Sequence, residues 1–167
     1  MTNPARIFQS GDGFTVVALL KGHMDQHRNV LPYLAETISK LQLKDVTEPV
    51  FRAAIDFGRI IGTSDCVETT AEDHIIYAQR VGRPNLTRFV LHRKPEPCSK
   101  VVVVLRRLAD AQADFGLLTA FIGDIAEREP GDPSLLTNSD RMVSQRFWDW
   151  HALVWGSQKV HRDLPVA

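Results

Sequence analysis

The chain has 167 residues, 44% of them apolar and 24% charged, an ordinary balance that suits a single domain over residues 1–167. Twenty Lys and Arg offset twenty Asp and Glu, so no net charge steers the chain toward nucleic acid or a membrane. No apolar run approaches the roughly 20 residues of a membrane span, and residues 1–10 lack the apolar stretch of a secretory leader. The two cysteines, Cys66 and Cys98, form no CxxC pair, so they read as small hydrophobes in a reducing cytoplasm.

Along the chain, Gly11-Asp12-Gly13 marks a turn, and the β-branched run 14–20 suits a strand closed by Lys21-Gly22. Leu31, Leu34, Ile38 and Leu41 recur at helical spacing and predict an amphipathic helix over about residues 30–43. Thr47, with Glu48 and Pro49 behind it, opens a second helix whose stripe is Phe51, Ala54 and Ile55 and whose stop is Gly58. Thr70 to Asp73 resembles a capping box and predicts a short helix over 75–79 ending at Gly82, although Ile-Ile-Tyr also suits a strand. Strands are expected over 86–92, 101–105 and 115–122; the second is apolar without alternation, as in a strand covered on both faces. Residues 129–134 must be loop. Ser139 then caps a last helix carrying Met142, Val143, Phe147, Trp150 and Val154. This order predicts an α+β domain, with N-terminal helices and a C-terminal helix packed on a short, mainly antiparallel sheet.

Charge is divided along the sequence. Residues 80–107 hold eight Lys or Arg against one acid, Glu96, whereas 109–140 hold seven acids against one base, Arg128. The basic strands could offer phosphates a positive face, because guanidinium groups present paired donors to paired oxygens. They could equally pair with the acidic segment that follows.

The stretch richest in reactive side chains is 72–83. On a helix His74, Tyr77, Arg80 and Asp73 would share one side, able to hold an anion and move a proton. A plain surface histidine is the other reading of His74. On the following strand Arg88 and His92 share one face, opposite Thr87, Phe89 and Leu91. Tyr77, Arg83 and His92 are the candidate substrate contacts. Thr119 shares a face with Leu117 and Phe121, where it either satisfies a nearby carbonyl or orients a phosphate. Glu127 and Glu129 are candidate bases or solvated loop charges. His23, Asp25 and His27 lack a further ligand for a metal, and no glycine-rich phosphate motif is present. Neither a metal nor a cofactor is expected.

The order of an initial helical region, His74 with Arg80, Arg88 on a strand and the late strand Leu117-Leu118-Thr119-Ala120-Phe121 resembles the barnase–EndoU–colicin–RelE-like superfamily of small endoribonucleases. The resemblance covers roughly residues 70–123. It implies metal-independent RNA cleavage, in which His74 is acid or base, Arg80 and Arg88 hold the phosphate and Thr119 positions it. The chain departs from that group in its neutral charge and its long extensions at both ends.

The last helix supports a rival reading. All three tryptophans fall within residues 148–155, with Trp150 on the expected core stripe beside Phe147 and Val154. Trp148 and Trp155 would lie on another side, either as anchors for a partner or a second copy of the chain, or buried because the helix packs on two sides within the monomer.

Overall fold

The computed structural model describes residues 5–19, 27–109 and 113–161, so His23 and Asp25 lie outside the described residues. The chain divides into two compact units, each assembled from two stretches: residues 1–62 with 97–125, and 63–96 with 126–167. Among the described residues, both combine one α-helix with mostly antiparallel strands, an α+β architecture in which strands dominate.

In the first unit the strands β1 (Ala5–Gln9), β2 (Thr15–Leu19), β3 (Val50–Asp56), β9 (Lys100–Arg107) and β10 (Phe115–Ile122) form one sheet in the order β1-β2-β10-β9-β3. All neighbours are antiparallel except β2 and β10, which run parallel. The helix α1 (Leu31–Ser39) buries Leu34 and Ile38, whose spacing was plain in the sequence, in a core with Val16, Val103, Leu105 and Phe115. Central position explains the unbroken apolar run of β9: Val101, Val103 and Leu105 are buried on one face and Val102 on the other. The turn between β1 and β2 is tied to the chain after α1 through Asp12, whose carboxylate accepts the N–H groups of Leu43 and Lys44, each at 2.8 Å.

The second unit holds β5 (Cys66–Glu68), β6 (Ile75–Gln79), β7 (Leu86–Val90) and β11 (His151–Val154), ordered β5-β11-β7-β6, together with α2 (Asn138–Trp148). Only β11 and β7 are parallel. Val67, Val90, Ala152 and Val154 make a small apolar cluster, with Ile75 against it. Residues 159–161 run beside the outer edge of β6, where Val81 N–H meets Lys159 O and His161 N–H meets Gln79 O, which protects an otherwise open strand. Short strands β4 (Gly62–Ser64) and β8 (Glu96–Cys98) fall where the chain passes from one unit to the other.

Several expected elements change. The helix over Phe51, Ala54 and Ile55 is instead β3, all seven of whose residues pair with β9. The helix over 75–79 is strand β6, the alternative that Ile-Ile-Tyr allowed, and Gly82 serves the turn that follows it with φ +82°. The box at Thr70 survives only as a turn, in which Asp73 accepts the Thr70 N–H at 2.8 Å. Thr137, not Ser139, caps α2, accepting the Asp140 N–H at 3.0 Å, and the helix ends at Trp148 before Trp150 and Val154.

Candidate functional site

Pairing in the second unit sets the candidate site. Tyr77 sits opposite Arg88, Gln79 opposite Leu86 and Ile75 opposite Val90, so alternation puts these side chains on one face of the β6–β7 hairpin. The Ile75–Val90 end joins the apolar cluster. The Tyr77–Arg88–Leu86 end forms part of the wall of a cleft of about 420 Å³, completed by Asn85, Glu129, Pro130, Gly131, Gln145 and Trp148.

Glu129 is held there by local chemistry. Residues 129–132 make a turn in which Asp132 N–H donates to Glu129 O at 3.1 Å and Gly131 takes φ +86°, the position that favours glycine in a Pro-Gly turn. The preceding residues are anchored to α2 by two side chains four apart, Ser144 and Trp148, which donate to the carbonyls of Arg128 and Glu127.

Glu129 is 6% exposed, and its Oε2 accepts from Arg80 Nη2 at 2.7 Å and from Asn85 Nδ2 at 3.3 Å. Arg80 also donates from Nε to Thr87 Oγ1 at 3.1 Å. The carboxylate's second oxygen, Oε1, is buried and has no hydrogen-bond partner among the described residues. Arg88 is half-buried and, among the described residues, donates from Nη1 alone, to Thr69 Oγ1 and to His151 O, both at 2.9 Å.

The predicted residues are thus sorted by the fold. His74 and His92 come together, both exposed and with ring centroids 5.9 Å apart, at the end of the hairpin away from its turn. Strand β7 stops at Val90 and His92 takes φ +61°, so the alternation that aligned it with Arg88 does not reach it. Arg80 is engaged by Glu129, while Arg83 is exposed beside the hairpin turn. Thr119 belongs to the first unit, not to the one that holds His74, Arg80 and Arg88. A register shift between Leu117 and Thr119 also breaks the expected alternation. Leu117 pairs with Leu105 and Thr119 with Val104, which places them on opposite faces of β10. Thr119 Oγ1 is buried without a hydrogen-bond partner among the described residues, so it does not satisfy a neighbouring carbonyl.

Trp148, open between an interface anchor and burial within the monomer, is 4% exposed and so buried, whereas Trp150, expected inside, is 59% exposed. The helix ends between them and reverses the stripe. Trp155 is partly exposed and meets Phe89 edge to face at 5.2 Å.

The divided charge resolves in part into ion pairs. Arg80 meets Glu129 and Lys100 meets Asp124, each at 2.7 Å, joining the basic segment to the acidic one within each unit. Arg93 bridges Asp73 and Glu96. Hydrogen bonding from the Thr70 N–H, then Arg93, holds the Asp73 carboxyl below the usual carboxylate range. Among the described residues no three His, Cys, Asp or Glu converge as metal ligands would.

Asn85, Leu86, Pro130, Gly131 and Gln145 carried no individual signal in the sequence. The readable clue was Glu129-Pro130-Gly131-Asp132, a turn signature with an acid at its head facing a basic segment. The chain matches no known family model, no curated protein and no solved structure.

Proposed function

We propose that the second unit binds a phosphate-bearing small ligand in the Arg88 cleft. The reading rests on one observation. Both hydrogen bonds that Arg88 makes among the described residues leave from Nη1, so its Nη2 and Nε hydrogens remain for an anion. The cleft volume of about 420 Å³ falls in the range of small-molecule sites. Tyr77 adds a ring and a hydroxyl beside the guanidinium. Titration with inorganic phosphate and phosphate esters tests this by calorimetry. Arg88→Met, with its fold checked by circular dichroism, should abolish binding; undiminished binding would remove the reading.

A second reading, the endoribonuclease implied by the resemblance, is favoured by the adjacent imidazoles of His74 and His92, which could serve as acid and base. It predicts RNA cleavage in EDTA that disappears in His74→Ala and His92→Ala; an inert wild type ends it. We place the protein in the cytoplasm, where the half-buried thiols Cys66 and Cys98 would stay reduced. A homodimer would use Trp150 and Trp155 in place of Trp148. A sedimentation coefficient unchanged between wild type and Trp150→Ser would count against it.

A further inference from the structure

The unpartnered oxygen of Glu129 calls for a hydrogen-bond donor, and its surroundings say which kind. Its carboxylate is already neutralised by Arg80 at 2.7 Å, so a second cation is not required for charge balance. A buried carboxylate oxygen left without a donor is costly, and a ligand that supplies one removes that cost. Two further residues that line the same cleft, Asn85 and Gln145, carry amide oxygens that can accept. Asn85 donates through Nδ2 to Leu86 O and Glu129, leaving its Oδ1 unbonded among the described residues. Gln145 donates through Nε2 to Asp149, likewise leaving its Oε1.

We infer that Glu129 Oε1, with the amide oxygens of Asn85 and Gln145, receives the hydroxyl groups of a sugar, so that the ligand of the cleft is a sugar phosphate. The inference rests on the phosphate reading of Arg88 given above. Neutral hydroxyls supply several donors from one small ring without adding charge, which matches an acceptor-rich wall around a neutral ion pair. The phosphate sits at Arg88 and the sugar's C–H surface lies against Tyr77 and Leu86. A free sugar phosphate and a nucleotide share this chemistry.

Calorimetry on the wild-type protein separates the possibilities, using inorganic phosphate, ribose 5-phosphate, 2-deoxyribose 5-phosphate, a ribonucleoside monophosphate and phosphoethanolamine. Ribose 5-phosphate should bind at least tenfold more tightly than inorganic phosphate, and Glu129→Gln should bring that ratio toward one. A gain kept by 2-deoxyribose 5-phosphate places the recognised hydroxyls elsewhere on the ring, and a lost gain assigns the 2-hydroxyl; both support the inference. The nucleotide arm identifies the source, since tighter binding than ribose 5-phosphate assigns a nucleotide and equal or weaker binding a free sugar phosphate. Phosphate binding with no gain from the sugar would overturn the inference and leave the Arg88 reading standing. A preference for phosphoethanolamine would overturn it too, because the donor would then be an ammonium. Absence of phosphate binding altogether would end both readings. Should Glu129→Gln fail to fold, the wild-type ligand series decides alone.

Discussion

At the scale of single residues, Arg80–Glu129 is the most deeply buried ion pair among the described residues of the second unit. Its side chains are 15% and 7% exposed, so solvent screens the pair far less than it screens Arg93 with Glu96 at the surface. Removing one partner leaves a largely buried charge uncompensated, a loss of roughly 3–5 kcal/mol. Glu129→Ala should therefore lower the urea midpoint sharply, while Glu96→Ala should change it little. Equal effects of the two substitutions would show that burial does not strengthen the first pair. The residue scale is also where the sequence was least legible. Arg80 and Arg88 were recognisable as unusual, but not whether their donors faced a ligand or their own chain. That distinction depends on Glu129, 49 positions beyond Arg80, and on His151, 63 beyond Arg88.

At the scale of elements, α2 positions Glu129 as well as closing the second unit, because Ser144 and Trp148 grip residues 127 and 128. Its start is set by Thr137, whose hydroxyl satisfies one of the helix's unpaired N–H groups, and Asp140 in the first turn favours the same end. Thr137→Ala should cost about 1 kcal/mol and raise amide exchange through the first turn of α2. Unchanged exchange there would mean that contacts further along hold the helix alone. Legibility at this scale followed the range of the interactions. Leu31, Leu34 and Ile38 announced α1 because a helix face is written in neighbouring residues. Phe51, Ala54 and Ile55 mimicked that spacing, yet the pairing of β3 with β9, about 50 positions away, outweighs the local preference. The bulge in β10 was unreadable for a similar reason: one inserted residue leaves no compositional trace but reverses the face of Thr119.

At the scale of the whole molecule, the carboxylates set a common response to acid. In the first unit Asp12 lies below the usual carboxylate range, chiefly because the Ser10 hydroxyl donates to it, with help from the N–H groups of Lys44 and Leu43; Lys100 does the same for Asp124. In the second unit Asp73 is lowered in the same way, by Thr70 first. A depressed folded-state pKa means that the folded form binds the proton less readily than the unfolded chain. The stabilisation is therefore complete above the ordinary aspartate range and is lost as pH falls through the lowered values. Asp65 has the opposite sign: burial raises its pKa, so its charge opposes folding at neutral pH and that cost fades on acidification. Asp56, through the Gly58 N–H, and Asp132, through the Ser134 hydroxyl, are lowered as well. Among the described residues, five lowered carboxylates against this one predict a melting temperature that is level near neutrality and declines below about pH 4, near the ordinary aspartate pKa. Asp12→Asn tests the assignment, because it removes the titration while keeping the shape. Its melting temperature should fall below wild type at pH 7, with the gap closing as wild-type Asp12 becomes protonated. A gap of constant size from pH 7 to pH 2 would mean that lost hydrogen-bond geometry, and not ionisation, is what Asp12 contributes.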